Sequence, residues 1–349
     1  MTTSTVQAGS VVAVLALFAA ASGVCAQPAP HARLEAPAAA AMNDILTYLR
    51  RQNSTGFIVI RDGETVIDEA WPAPQGDRAF ANLTYGLTAG GILLEDVASQ
   101  QKSFIAVLAG VAVDKNLLEV DAPVSRYLGE GWSKAAADQE AKIRVIDILT
   151  MSSGLDEQFA YVAPAGSVFF YNTPVYAITK GILAASTGQS LEAITQDWLT
   201  TPLGMSQTAW RKRPAALASV GNATGLVTTP QDIALFGLMI LDHGLAADGS
   251  RVISQDQLDA LFQPSETNPA YGRLWWLNGG DHVISAQGAR SDGPLIPTAP
   301  SDLVGAFGAL DRRLYVVPSR RLVVVRTGAA AVDRNFDQEL WRRLSDVLD

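Results

Sequence analysis

The sequence predicts an α/β protein in which one antiparallel sheet is assembled from both chain ends, with a helical insert packed beside it. Three observations predict this. β-Rich runs lie near the start, Gly56 to Ala70, and near the end, Leu314 to Arg326. Between them, apolar residues recur at helical spacing behind capping residues. No internal repeat and no linker interrupts that stretch, so the terminal strands belong to one core.

Val11 to Ala21 is apolar but short for a bilayer span, and Val24-Cys25-Ala26 fits a small-residue cleavage site. Residues 1–26 therefore read as an export signal, although Met1 to Ser10 carries no Lys or Arg. Cleavage after Ala26 is favoured over a lipid anchor at Cys25, because Val24 is bulky for the residue before a lipidated cysteine. The mature chain, periplasmic or secreted, would then hold no cysteine and need no disulfide. No transmembrane span is expected in it. Residues 27–41 are Ala/Pro-rich and expected to be an unstructured linker. Residues 42–349 read as one domain, its α/β part at about 42–128 and 271–349 and its helical part at about 129–270.

Within that domain Met42 to Arg51 is an amphipathic helix. Asp62-Gly63 between two β-rich runs is a hairpin turn. From Glu95, apolar Val97, Phe104, Ile105, Leu108 and Val111 mark a buried helix ending near Asn116. Val145 to Met151 is helical. Thr173-Pro174 opens another helix through Ala185, with Thr as cap and Pro at the first position. Ser190 to Leu199 follows, and Thr229-Pro230 repeats the same device ahead of Ile233 to Leu241. Ser254 to Phe262 is a shorter helix. Arg273 to Leu277 is expected as a strand. Leu314 to Val317 and Leu322 to Arg326 flank Pro318-Ser319 as a second hairpin, and Asn335 to Leu348 is a closing helix.

Composition excludes some functions. With 48% hydrophobic and 17% charged residues the chain is globular. A formal charge of −9 without a basic run gives no support for nucleic-acid binding. The histidines are His31, His243 and His282, and only His282 is a plausible core member, so a Ser-His-Asp site or a zinc site is disfavoured. No G-x-S-x-G elbow occurs. No metal and no cofactor are expected.

The chemistry centres on Ser99 and Lys102. Three apart in a helix, they share a face and can meet. Ser99 could merely cap the helix, but a cap prefers Glu or Gln three residues on, and here that residue is a cation. Burial beside the helix start would push the lysine toward neutrality and set a base beside a nucleophile. Tyr171, in a loop ahead of a helix, is a candidate proton shuttle if a nearby lysine lowers its pKa. On its own it reads more readily as the third member of an aromatic core with Phe169 and Phe170.

SQQK at 99–102, LTMSSGLDE at 149–157, GSVFFYNTPVYAITKGILAASTGQSLE at 166–192, GLVTTPQDIALFGLMIL at 225–241 and LYVVPSRRLVVVRTG at 314–328 occur in that order. The set resembles the class C beta-lactamase-related serine hydrolases, which include penicillin-binding-like carboxypeptidases, esterases and 6-aminohexanoate-dimer hydrolases. The resemblance covers roughly Met42 to the C-terminus. It implies a three-layer α/β/α region, a helical region and a cleft between them. It also implies Ser99 as acylated nucleophile, Lys102 as its base, and Tyr171 as a phenolate or proton shuttle. The oxyanion hole would use the Ser99 N–H and one near Gly308 and Ala309. Asn172 would stand in for the asparagine of the family's Y-x-N motif, since Tyr171-Asn172-Thr173 shifts it by one place. Trp276, with Trp275, could line an acyl site or simply pack a strand.

The family's third motif, K-T-G or H-x-G, is missing, and GAFGALD at Gly305 to Asp311 stands in its place. A carboxylate-bearing substrate thus loses its cation, and Asp311 would repel it if it faces the cleft. Arg312 or Arg313 could compensate, but strand alternation lets only one face inward. The reading is an exported serine hydrolase acting on a small ester, amide or short peptide, with an uncharged or hydrophobic substrate suiting the missing cation. Its alternatives are a penicillin-binding DD-peptidase or beta-lactamase, and a non-catalytic binding protein retaining the fold. The oligomeric state is left open.

Overall fold

The structure, a computed structural model, describes residues 1–2 and 36–348. The expected export signal lies outside the described residues, as does most of the expected linker. Its last residues do not match expectation: they open a helix, Ala36–Arg51. Alanine is the strongest helix former, so the amphipathic run simply extends N-terminally through it.

The main sheet has six strands: β1 (Ser54–Arg61), β2 (Glu64–Ala70), β7 (Trp276–Leu277), β10 (Val304–Gly308), β11 (Arg312–Val317) and β12 (Leu322–Gly328). Their order is β2-β1-β12-β11-β10-β7, every pair antiparallel. The N-terminal hairpin therefore zips onto the C-terminal one, Ile58 opposite Val325 and Ile60 opposite Val323. Strand β12 is buried along its whole length because both faces are covered. Val59, Leu322 and Val324 face the helices Ala36–Arg51 and Phe336–Leu348, whose Ile45, Leu49, Leu340, Trp341 and Leu344 complete one apolar layer. Ile58, Val323 and Val325 face the other way, onto the Gln101–Asp114 and Pro230–Leu241 helices. Gly237 lets the second of these lie directly on Val323 and Leu314. This is the three-layer arrangement expected.

A second sheet was not foreseen. β3 (Thr84–Leu87), β4 (Leu93–Asp96), β5 (Ala209–Lys212) and β6 (Thr224–Thr228) pair in the order β3-β4-β6-β5. Two of its strands lie inside the stretch expected to be helical. A small hairpin, β8 (His282–Ile284) and β9 (Arg290–Asp292), stands apart. The expected strand over Arg273 to Leu277 is strand only at Trp276–Leu277. Leu274, with φ 59°, turns the chain just before it.

Candidate active site

Strand β4 ends at Asp96, and the chain then turns sharply into the Gln101–Asp114 helix. Ser99 sits in this 3₁₀ turn, Ala98–Gln100. Ala98 has φ 52°, a left-handed conformation that a residue with a Cβ occupies only at a cost. The Asp96 carboxylate holds the turn by accepting the Ala98 N–H at 2.8 Å. Asp96 is itself clamped by Arg213, Nε and Nη2 donating at 2.7 and 2.8 Å. Gly225 makes room for that pair, since a Cβ there would fall on the Asp96 and Arg213 side chains.

One helical turn on, Lys102 Nζ lies 2.9 Å from Ser99 Oγ and 3.3 Å from Thr173 Oγ1. It is 2% exposed, so burial holds its pKa well below the ordinary lysine value, and the nearby Arg213 and Lys180 charges add to this. The amine is therefore available in its neutral form. Lys180 donates to Asn222 Oδ1 and to Thr224, and burial with Arg213 brings it down to about 7. The ring of Tyr176, buried, lies against both lysine nitrogens, 4.6 Å from Lys102 Nζ and 6.0 Å from Lys180 Nζ.

Tyr171 lies beside the pair, its ring 4.8 Å from Lys102 Nζ. The expected lowering of its pKa is not found: burial pushes the phenol up to about 12, with the Ser99 hydroxyl drawing it back. It is a phenol, not a phenolate, at neutral pH. Its ring stacks on Trp276 at 5.9 Å and meets Tyr271 edge-on at 6.0 Å. Tyr171 thus belongs to an aromatic cluster and also lies beside Ser99 and Lys102.

Two expectations for the neighbouring loop change places. Asn172, not Thr173, caps the following helix, its Oδ1 accepting the Val175 N–H at 3.1 Å. Its Nδ2 donates to the Leu155 carbonyl at 3.0 Å, so this buried amide holds backbone on both sides. Thr173, free of capping, turns its hydroxyl to Lys102 instead.

Ser99, Tyr171, Trp276, Gly308 and Ala309 open into one cavity of about 480 Å³. Gly308 ends β10 against the turn that holds Ser99, where a Cβ would collide with the Val97 carbonyl oxygen. The backbone of this strand end thereby lies against the turn that holds Ser99 and lines the same cavity. The beta-lactamase family model matches residues 37–346. The chain belongs to the beta-lactamase family. Penicillin-binding protein 4 of Amycolatopsis lactamdurans is 24% identical over 307 residues, covering 72% of this chain and 76% of its own. A penicillin-binding protein homologue from Caulobacter crescentus superposes with a TM-score of 0.64 at 14% identity, over 90% of this chain and 98% of that one. A family VIII carboxylesterase does so with 0.62 at 14% identity, over 88% and 97%. At these identities the solved structures speak for the fold.

Where the family's third motif would stand, this member has an arginine cluster that the sequence only hinted at. Arg312 is fully buried, donating to Glu95 at 2.9 Å and to the Ala309 carbonyl at 3.1 Å. Arg313 is the one that reaches the cavity, together with Asp311 and Asp337. Arg213, Lys180 and Asp337 were not foreseen, because each acts through a partner distant in sequence.

Proposed function

We propose that the protein hydrolyses an ester or amide bond through an acyl-enzyme on Ser99. The observation that carries this is the 2.9 Å contact between Ser99 Oγ and a buried lysine held below its ordinary pKa. Lys102 takes the hydroxyl proton as Oγ bonds to the substrate carbonyl carbon. The tetrahedral oxyanion would be met by the Ser99 N–H and the strand end at Gly308 and Ala309. As the bond to the leaving group breaks, the Tyr171 phenol gives it a proton and is recharged from the Lys102 ammonium. Water then attacks the acyl carbon, its proton passing back along the same groups, and Ser99 is released. An open cavity at an intact Ser99–Lys102–Tyr171 cluster counts against a fold kept only for binding.

Esterase or amidase activity suits the site better than beta-lactam turnover, because among the described residues the cation lining the cavity, Arg313, has its donors taken by Asp311, Asp337 and backbone carbonyls. The leader Val11 to Ala21 supports work after export. The test is labelling by a fluorophosphonate, with turnover of p-nitrophenyl butyrate and nitrocefin. Labelling that disappears in Ser99→Ala, with ester cleavage and little nitrocefin cleavage, is expected. A folded wild type that neither labels nor turns over would overturn the hydrolase reading, and nitrocefin as the preferred substrate would overturn the esterase one.

A further inference from the structure

The charged groups lining the catalytic cavity are Asp311, Arg313 and Asp337. A guanidinium has five N–H donors, and all five of Arg313 are taken. Nε donates to Asp337 Oδ1 at 2.8 Å, and Nη2 to Asp311 Oδ1 at 2.9 Å and Asp337 Oδ2 at 3.0 Å. Nη1 donates to the Gly308 and Arg312 carbonyls, each at 3.2 Å. Nothing remains to receive a substrate carboxylate. The carboxylates are not exhausted in the same way. Among the described residues Asp311 accepts from Arg313 and from the Ala331 N–H, leaving about two of its four lone-pair directions open. Asp337 stays ionised: burial works against its charge, but the Arg313 guanidinium and the Tyr315 hydroxyl hold its pKa below the usual carboxylate range. Two carboxylates and one guanidinium line the cavity here, while the buried Arg326 guanidinium behind the hairpin offsets the second carboxylate, so the acceptor positions left open on Asp311 mark this wall.

The wall is also fixed in place. Leu310 and Asp311 both lie in the left-handed region, φ 61° and 57°, where the hairpin turns from β10 to β11. Buried Arg326 anchors both carbonyls, Nη1 donating to Leu310 O at 2.8 Å and Asp311 O at 3.1 Å. Trp276 and Phe307 stack at 6.4 Å along the same cavity, the Trp276 ring stacking also on Tyr171 and the Phe307 ring covered by the Arg313 guanidinium at 4.8 Å, so together they give the cavity an apolar wall.

We propose that Asp311, with Asp337 and the aromatic wall, forms a subsite for a positively charged group. The substrate class is then an ester or amide bearing an ammonium remote from the scissile carbonyl, and substrates with a free carboxylate there are rejected. The inference rests on Ser99 as the acylated residue. It assigns the wall a selecting role, beyond the mere loss of a carboxylate-holding cation.

The test is a set of 4-nitrophenyl esters whose straight acyl chains end in trimethylammonium, methyl or carboxylate, over several chain lengths. Wild type should favour the cationic ester over the carboxylate ester by about tenfold or more in kcat/KM at low salt, chiefly through KM. The ratio should shrink as salt rises from about 0.02 to about 0.5 M. In Asp311→Asn it should fall toward one. A carboxylate ester cleaved as well as the cationic one at low salt would overturn the proposal, as would an unchanged ratio in folded Asp311→Asn. If that variant fails to fold, the salt series in wild type decides. If no ester of any charge turns over, the acyl-enzyme reading fails. The subsite is then judged by calorimetry with the matching anilides, and equal binding of cationic and anionic anilides overturns it.

Discussion

Lys102 pays for its reactivity in stability, and the sign can be worked out. In the unfolded chain it titrates near 10.4, and in the fold its pKa is well below that. Between the two values the unfolded state binds more protons, so stability rises with pH and is lost as pH falls from about 10. Lys102→Met, of similar length and without the charge, should therefore lose turnover yet melt about 2–4 °C higher at pH 7. That advantage should narrow as the pH approaches 10, which calorimetry at several pH values would show. For activity, protonation of Lys102 sets the acidic limb, so kcat/KM should fall as pH drops through its lowered pKa. Lys102→Arg, charged at every accessible pH, should leave no measurable ester turnover. Thr173 is a subtler case. With its hydroxyl 3.3 Å from Lys102, Thr173→Val should lower kcat by about tenfold with little effect on melting, because the helix cap belongs to Asn172.

Short elements place these residues, and the glycines between them set the distances. Gly308→Ala would press a methyl group on the Val97 carbonyl and push β10 off the nucleophile turn. A shift of that order should cost about 10²-fold in kcat/KM. Gly225→Ala strikes the buried Asp96–Arg213 pair and should destabilise by about 3 kcal/mol, measured by urea unfolding. The same elements explain what could be read beforehand. Asp62-Gly63, Thr229-Pro230 and Ser254 act within four residues of themselves, and the hairpin and both caps form where their local chemistry puts them. Ser99 and Lys102 were legible for the same reason, since one helical turn separates them. Asn172 and Thr173 are both capping residues and stand side by side, so the sequence could not tell which of them faces the Val175 N–H. The second sheet escaped because it joins four- and five-residue strands from Thr84 to Thr228. Their partners, Glu95 to Thr228 and Asp96 to Val227, are separated by more than a hundred residues.

At the scale of the whole molecule, both chain ends close one sheet, and the C-terminal helix does two jobs. Its apolar face, Phe336, Leu340, Trp341 and Leu344, covers the outer side of β1 and β12. Its first turn carries Asp337 to the Arg313 wall of the cavity. Stability and substrate selection are thus joined in Phe336–Leu348, but through different residues. Trp341 is 1% exposed and meets Tyr315 edge-on at 5.4 Å. Trp341→Ala should cost about 3–5 kcal/mol, seen as a lowered urea midpoint, while leaving the charge ranking of substrates in place in whatever fraction is folded. Asp337→Asn should do the converse. It keeps the helix and its apolar face, but removes one of the two charges that occupy Arg313. The cavity lining then loses one carboxylate, and Arg313 can turn donors toward the cavity. Melting should change less than for Trp341→Ala, while the kcat/KM ratio of the cationic to the carboxylate ester should fall by about tenfold. If the two variants changed both quantities in parallel, the helix would act on the cavity only by holding the fold together, and Asp337 would have no selecting role of its own.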